Sequence, residues 1–499
     1  MLSATITTHH DFRVAPVDRK LFGAFVEHLG RCVYTGIYEP EHPESDDRGF
    51  RKDVIDAVRD LGISTVRYPG GNFVSGYRWE DGVGPLERRP VRLDLAWHTT
   101  ETNEFGTNEF MEWASRASIE PMMAVNLGTR GIMEAVDLLE YCNGGTHTAL
   151  ADLRRSHGAE KPYGITMWCL GNEMDGPWQT GHKTAQEYGR LAAETARAMR
   201  AVDPTLQLVA CGSSNSGMPT FGRWEYEVLQ ETYEDVDFIS AHSYYQEHDG
   251  DLGSFLASAV DLDGFVESVA ATIEAVRAQK RSQKRVYISL DEWNVWYQSR
   301  QDEQVPQGDD WPVAPKLLED NYSVADAVVV GSLLISILRH SDVIKSASLA
   351  QLVNVIAPIM TEPGGKMWKQ TTYHPFQHVS QMARGEVLQT LISSPTYETN
   401  RYGDVDVLDA VSVANDSEEV VFAVNRSQHE QMELTVRSGH KVRSVQATTY
   451  ASADPYWKAG PSDDASVLPV VNATARIEGK CVKVTLPPVS WNVIRMPQA

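Results

Sequence analysis

From about residue 20 to residue 380 the chain alternates short apolar runs with amphipathic helical stretches. No other feature constrains the fold as much. The runs are 21–27, 64–68, 122–126, 165–170, 207–211, 238–243, 286–290 and 345–352. Each is short and rich in apolar residues, as a strand covered on both faces should be. Between them, Val269, Ile273 and Val276 share one helical face, and Ala327, Val330, Leu334 and Ile337 share another. The stretch from His182 to Arg200 reads as a helix stopped near Asp203-Pro204. The alternation predicts an α/β protein, and eight strands point to a (β/α)8 TIM barrel rather than an open doubly wound sheet. No Gly-x-Gly-x-x-Gly follows the first strand, which argues against a dinucleotide fold.

After about residue 385 the texture changes. Val405, Val407 and Val411, then the runs 420–424, 432–436 and 482–486, alternate or run apolar between Gly, Asn and Ser, with no long helical pattern. This predicts a C-terminal all-β sandwich domain. The first residues, with Ala4 and Ile6 alternating, read as an edge strand that joins it. The expected division is therefore a catalytic barrel over 18–384 and a sandwich built from 1–17 and 385–499.

The formal charge is −23 over 499 residues. That surface repels nucleic-acid backbones and anionic membranes, so neither is an expected partner. No apolar run approaches the roughly 18 residues that span a bilayer. The N-terminus lacks a basic start and an apolar core, and the five cysteines include no Cys-x-x-Cys. The expected location is the cytoplasm. No His-Glu-x-x-His and no His/Cys/Asp cluster of zinc spacing occurs, so neither metal nor other cofactor is expected. Gly212-Ser-Ser-Asn-Ser-Gly is not a nucleophile elbow.

Reactive groups of such a barrel sit at the C-terminal ends of its strands. The fourth run ends in Asn172-Glu173 and the seventh in Asp291-Glu292-Trp293, so two glutamates emerge at one rim from different sides. Glycoside hydrolysis needs that pair: one carboxyl protonates the leaving oxygen while the other stays ionised across the sugar. An aromatic, Trp168 or Trp178, is expected beside Glu173. The first run ends near Glu27 and His28, the second in Arg67-Tyr-Pro-Gly-Gly-Asn72, the sixth in His242-Ser-Tyr244, and the eighth reaches Gln351. Planar polar side chains with aromatic faces, here Trp97 and Trp296, are what sugar pockets are made of. His28 is expected under the pocket, orienting Glu27, and His242 either supports Glu292 or touches the sugar.

Four segments carry a family resemblance: Gly23-Ala-Phe-Val-Glu27-His28-Leu-Gly-Arg31, Arg67-Tyr-Pro-Gly-Gly-Asn72 running on to Pro85, Trp168-Cys-Leu-Gly-Asn172-Glu173-Met-Asp-Gly-Pro-Trp178, and Asp291-Glu292-Trp-Asn-Val-Trp296-Tyr. In this order they resemble the α-L-arabinofuranosidases of glycoside hydrolase family 51. The resemblance implies a retaining, exo-acting enzyme that releases terminal arabinofuranosyl units from arabinan, arabinoxylan or their oligosaccharides. It makes Glu173 the acid/base and Glu292 the nucleophile. Asn172 would hold the sugar 2-hydroxyl; Glu27, Asn72, Tyr244 and Gln351 would line the arabinose subsite; Arg67 would keep the nucleophile ionised; Trp97, Trp296 and His242 would complete the pocket. It also implies a homohexamer. Substrate preference is expected to vary in the loop Gln301 to Pro312 and at the tip around residues 101–107. Two other readings fit the residues alone: the same chemistry on a β-xyloside or β-glucan, and a barrel that binds carbohydrate without turning it over.

Overall fold

The computed structural model describes residues 1–300 and 305–498. Eight parallel strands close into a barrel: β1 Gly23–Phe25, β2 Thr65–Tyr68, β3 Glu120–Val125, β4 Met167–Leu170, β5 Gln207–Ala210, β6 Phe238–Tyr245, β7 Tyr287–Val295 and β8 Ile344–Leu349. Each falls on one of the expected apolar runs. The pleat sorts their side chains. Met122, Ala124, Met167, Cys169, Val209 and Phe238 plug the barrel interior, while the alternate residues Met123, Val125, Trp168 and Leu170 face the helices. With the interior filled by side chains, the open space lies at the rim, where the strands end.

A main helix follows each strand: α1 Lys52–Leu61, α2 Thr107–Ala117, α3 Ile132–Asn143, α4 Ala185–Val202, α5 Arg223–Thr232, α6 Ala259–Lys280, α7 Val324–Arg339 and α8 Tyr373–Met382, with shorter helices Ala149–Ser156 and Leu252–Leu256 beside α3 and α6. α4 starts at Thr184, whose hydroxyl accepts from the Glu187 amide while the Glu187 carboxylate accepts from the Thr184 amide. It ends at Asp203, before Pro204, as its sequence predicts. Val269, Ile273 and Val276 are buried along α6.

α7 departs from expectation. Its sequence reads as amphipathic, yet every residue from Val324 to Leu338 is buried. The reason is that α7 lies between two layers and has no solvent face. One side packs on the barrel. The other meets strands Leu408–Ala414, Glu418–Asn425 and Ser490–Pro497, with Gly331 seated against the Trp491 ring.

Those strands belong to a seven-stranded sheet, ordered Arg13–Pro16, Glu386–Leu388, Leu408–Ala414, Glu418–Asn425, Ser490–Pro497, Gln446–Tyr450 and Val470–Val471. A five-stranded sheet, ordered Leu391–Ser393, Leu2–Thr7, Met432–Arg437, Cys481–Leu486 and Arg476–Glu478, covers its other face. Ala4, Ile6, Val421, Leu434, Val484 and Ile494 form the core between the two. The N-terminal strand is not at an edge. Leu2–Thr7 runs parallel to Met432–Arg437 on one side and antiparallel to Leu391–Ser393 on the other. A further hairpin, Thr396–Thr399 with Gly403–Asp406, leaves the sandwich and reaches the barrel rim.

All five cysteines are unpaired, four of them buried. Among the described residues, no helix is long and apolar enough to cross a membrane.

Candidate active site

The strand ends converge on one cleft of about 870 Å3. β4 delivers Glu173 through a sharp turn in which Gly171 has φ +95° and Glu173 itself φ 42°. Such a backbone is uncommon for a glutamate and is held in place by its surroundings. β7 delivers Asp291 and Glu292, and β6 places His242 directly beside Glu292. Ser240 pairs with Ser289 but His242 with Glu292, so β7 carries one extra residue, a bulge that re-aims its end where the two carboxylates emerge.

Glu292 is held on both oxygens. Arg67 donates Nη1 to Oε1 at 2.8 Å, and the Tyr244 hydroxyl donates to Oε2 at 2.7 Å. Burial, with Glu292 next, pushes the Tyr244 phenol well above its ordinary value, so it remains a donor. Glu173 is held by the Trp178 indole N–H at 2.7 Å on Oε2 and by His242 Nδ1 at 2.8 Å on Oε1. His242 Nε2 lies 3.1 Å from Asp291 Oδ1. Burial alone would lower His242, but Glu292, Asp291 and Glu173 outweigh it and hold the imidazole well above its ordinary range. Both ring nitrogens then donate, as an imidazolium requires. Three carboxylates thus face two fixed cations, Arg67 and His242, which leaves the cluster one positive charge short of neutrality.

Glu173, His242 and Glu292 each present an atom within 4.8 Å of the other two, a set that could hold a cation. His242, however, also bonds Asp291, and Arg67 already neutralises Glu292.

The opposite wall is built on β1 and β2. Glu27 Oε1 accepts from the Phe73 amide and the Trp97 indole, each at 2.9 Å, and Oε2 accepts from Gln351 Nε2 at 3.2 Å. A Cβ on Gly70 would lie 2.4 Å from Glu27 Cγ, and its φ is +139°, so this close approach requires glycine. Burial pushes Glu27 up to about 8 against the pull of those two N–H donors, with Glu292 and Asp94 adding to the rise. Asp94 is raised to about 6, chiefly by burial; it accepts from the Ala96 and Trp97 amides and so fixes Trp97. Loop 305–312 closes this side: the Thr100 amide donates to the Pro312 carbonyl at 3.0 Å, and His98 stacks on Trp311 at 3.6 Å.

Of the eleven expected site residues, Glu27, Asn72, Trp97, Glu173, Tyr244, Glu292, Trp296 and Gln351 line the cleft. Arg67, Asn172 and His242 lie behind it, 1–2 % exposed. Arg67 and His242 bond mainly other side chains, and Arg67 Nη2 donates to Asn172 Oδ1 at 2.6 Å, which fixes the asparagine that precedes Glu173. Asn172 Nδ2 makes only long contacts, 3.3 Å to Asn72 and 3.5 Å to Gln179. Among the described residues, Gln351 Oε1 and Trp296 Nε1 have no hydrogen-bond partner in the protein.

Two expectations are corrected, and one alternative is decided. His28 does not orient Glu27. Its ring bonds Glu101 at 2.9 Å and the Tyr68 hydroxyl at 2.8 Å, because the 99–101 strand folds Glu101 back under the pocket. Glu101 is accordingly a buried anchor and not a variable tip; burial pushes it up, but His28 and Tyr34 outweigh that and lower it. Trp168 is in the core, its indole on the Ile165 carbonyl, and Trp178 is the aromatic at Glu173. The loop expected at Gln301 to Pro312 lies in part outside the described residues; Val305 and Gln307 line the cleft.

Several cleft residues gave no signal in the sequence. Ser214, Asn215 and Ser216 line it, held by the buried Asp175, which accepts from the Ser214 amide and hydroxyl. Arg401 and Tyr402 reach it from the C-terminal hairpin.

Two family models match the chain: an α-L-arabinofuranosidase 1 domain over 57–265 and an α-L-arabinofuranosidase C-terminal domain over 291–490. The chain is 56 % identical to an intracellular exo-α-(1→5)-L-arabinofuranosidase of Streptomyces lividans, over 99 % of this chain and 75 % of that protein. It is 52 % identical to intracellular exo-α-(1→5)-L-arabinofuranosidase 1 of Bacillus subtilis, over 99 % of each. An exo-α-(1→6)-L-arabinofuranosidase of Bifidobacterium longum is 53 % identical, over 98 % of this chain and 97 % of that one. Among solved structures, a family 51 α-L-arabinofuranosidase from Bifidobacterium longum superposes with a TM-score of 0.95 at 46 % identity, covering 99 % of this chain and 100 % of the other.

Proposed function

Because the chain belongs to the family 51 α-L-arabinofuranosidases, which are glycoside hydrolases, we propose that it releases terminal arabinofuranosyl units by a retaining double displacement. One observation carries this reading: a carboxylate oxygen of Glu173 and one of Glu292 lie within 4.8 Å of each other. Retaining enzymes hold their two carboxyls about 5–5.5 Å apart, whereas inverting ones leave roughly 6.5–9.5 Å for a water between them.

In the first step Glu292 attacks the anomeric carbon while Glu173 gives its proton to the departing oxygen, leaving an arabinosyl ester on Glu292. In the second, Glu173 takes a proton from water, whose oxygen displaces Glu292. Two inversions give net retention. Arg67 and Tyr244 each bond one oxygen of Glu292 and aim it. His242 and Trp178 each bond one oxygen of Glu173 and fix that carboxyl at the cleft. The loosely held amide of Asn172 is free to donate to the sugar 2-hydroxyl, a bond that strengthens as oxocarbenium charge develops. Glu27, Asn72, Gln351 and Trp296 face the remaining hydroxyls. Arg67 and His242 act in this scheme on the carboxylates and not on the sugar.

The substrates are arabinan- or arabinoxylan-derived oligosaccharides met inside the cell. The names of the intracellular relatives and the five unpaired cysteines support that location. Relatives of nearly equal identity are named for 1→5 and 1→6 linkages, so the linkage is a matter for assay. The test is turnover of 4-nitrophenyl α-L-arabinofuranoside with the product anomer followed by proton NMR. Wild type should give initial retention and Glu292→Ala no turnover; initial inversion would overturn the scheme.

A further inference from the structure

The cleft is far larger than one furanose ring, and it is asymmetric. Glu27, Gln351, Glu173 and Glu292 close one end around a single sugar. The other end runs past Ser214, Gln246 and His248 to Arg401 and Tyr402. This far wall is a fixed part of the structure. The hairpin that bears Arg401 and Tyr402 docks on the short helix Leu252–Leu256. Tyr397 donates its hydroxyl to the Gly253 carbonyl at 2.9 Å, the Asn400 amide donates to Ser254 Oγ at 3.1 Å, and Asn400 Nδ2 donates to Asp251 Oδ2 at 2.9 Å. Its own turn is stiffened by Thr399 Oγ1, which accepts from the Tyr402 amide at 2.9 Å.

The wall is also tied to the strand that bears His242 and Tyr244. From the same end of β6, Ser243 donates to the Tyr245 hydroxyl at 2.7 Å, and Tyr245 donates to Asp261 Oδ2 at 3.0 Å, where Asp261 too lines the far end. Two carboxylates, Arg401 and several hydroxyls share this wall, and the carboxylates are already engaged: Asp251 accepts from Asn400 and Asp261 from Tyr245. What such a surface suits is a neutral ligand rich in hydroxyls.

We propose that the far end binds a second and further sugar unit of the leaving group, and that Arg401 and Tyr402 set a preference for neutral oligosaccharides over short or aryl leaving groups. The proposal rests on the glycosidase reading above. It also gives the C-terminal part of the chain a direct hand in substrate choice.

The test compares specificity constants along a series: 4-nitrophenyl α-L-arabinofuranoside, then α-linked arabinobiose, then arabinotriose. In wild type kcat/KM should rise along the oligosaccharides. In Arg401→Ala, Tyr402→Ala and the double variant, the ratio of the triose to the aryl glycoside should fall roughly 10-fold, mainly through KM. A ratio unchanged from wild type in the double variant, whether both constants fall together or neither moves, would overturn the proposal while leaving the glycosidase reading intact. Failure of wild type on the aryl glycoside would remove that reading and the proposal with it.

Discussion

Glu27 carries its proton to an unusually high pH for a carboxylate, about 8, and it faces the same pocket as Glu292. Below that pH it can donate to a sugar hydroxyl; above it, the pocket gains a second anion and loses a donor. The expected outcome is a kcat/KM that falls on the alkaline side as pH passes about 8, and a Glu27→Gln variant whose profile lacks that limb. The fold should respond with the same sign. A raised carboxyl contributes its stability fully below the ordinary carboxylate range and loses it as pH rises through the folded value. Glu27→Gln should therefore gain melting temperature relative to wild type at pH 9 but not at pH 5. At this scale the sequence was informative where a residue ends a strand. Asn172-Glu173 and Asp291-Glu292 could be placed at the rim because the strands before them are unmistakable. The partners of His28 could not: Glu101 lies 73 residues away, returned by a two-stranded turn that has no apolar pattern of its own. Trp168 and Trp178 were indistinguishable for a similar reason, since only the pleat of β4 decides which one faces the core.

The elements divide by how completely they are covered. All eight barrel strands were legible because burial on both faces leaves a short run rich in apolar residues, set off by the helical stretches between. α7 shows the limit of periodicity: a stripe is meaningful only against a polar face, and here the layer that buries the second face comes from strands 70 and more residues further on. That layer makes α7 intolerant of volume. A Cβ at Gly331 would lie 2.4 Å from Trp491 Cε3, in a ring stacked on Phe422. Gly331→Ala should cost about 1–3 kcal/mol through overpacking, more than the roughly 1 kcal/mol that alanine returns in helix propensity. Thermal unfolding would read this as a lower midpoint. An unchanged or raised midpoint would mean that Trp491 can turn aside.

At the scale of the whole molecule, barrel and sandwich are joined by charge as well as by α7. Asp409 of the sandwich, 3 % exposed, accepts from Arg426 at 2.7 Å and from Arg339 at the end of α7, and Arg339 also pairs with Asp263 on α6. Removing the shared anion strands a buried guanidinium. Asp409→Ala should therefore destabilise by about 3–5 kcal/mol, and calorimetry should show the single transition of wild type broadened or split as the two layers uncouple. A transition of unchanged midpoint and width would assign the coupling to α7 alone. The N-terminal strand is the other long-range tie; its alternation pointed to the sandwich but not to an inner position, because both its neighbours lie at the far end of the chain. Translation proceeds from one end, so Leu2–Thr7 leaves the ribosome with no sheet partner until synthesis has passed Leu391–Ser393, and its second partner follows only with Met432–Arg437. The barrel strands can meet as they are made. The five-stranded sheet cannot close until Cys481–Leu486 has been made, and until Leu391–Ser393 appears a half-apolar strand with two free edges hangs beside the nascent barrel, within reach of chaperones and of other nascent chains.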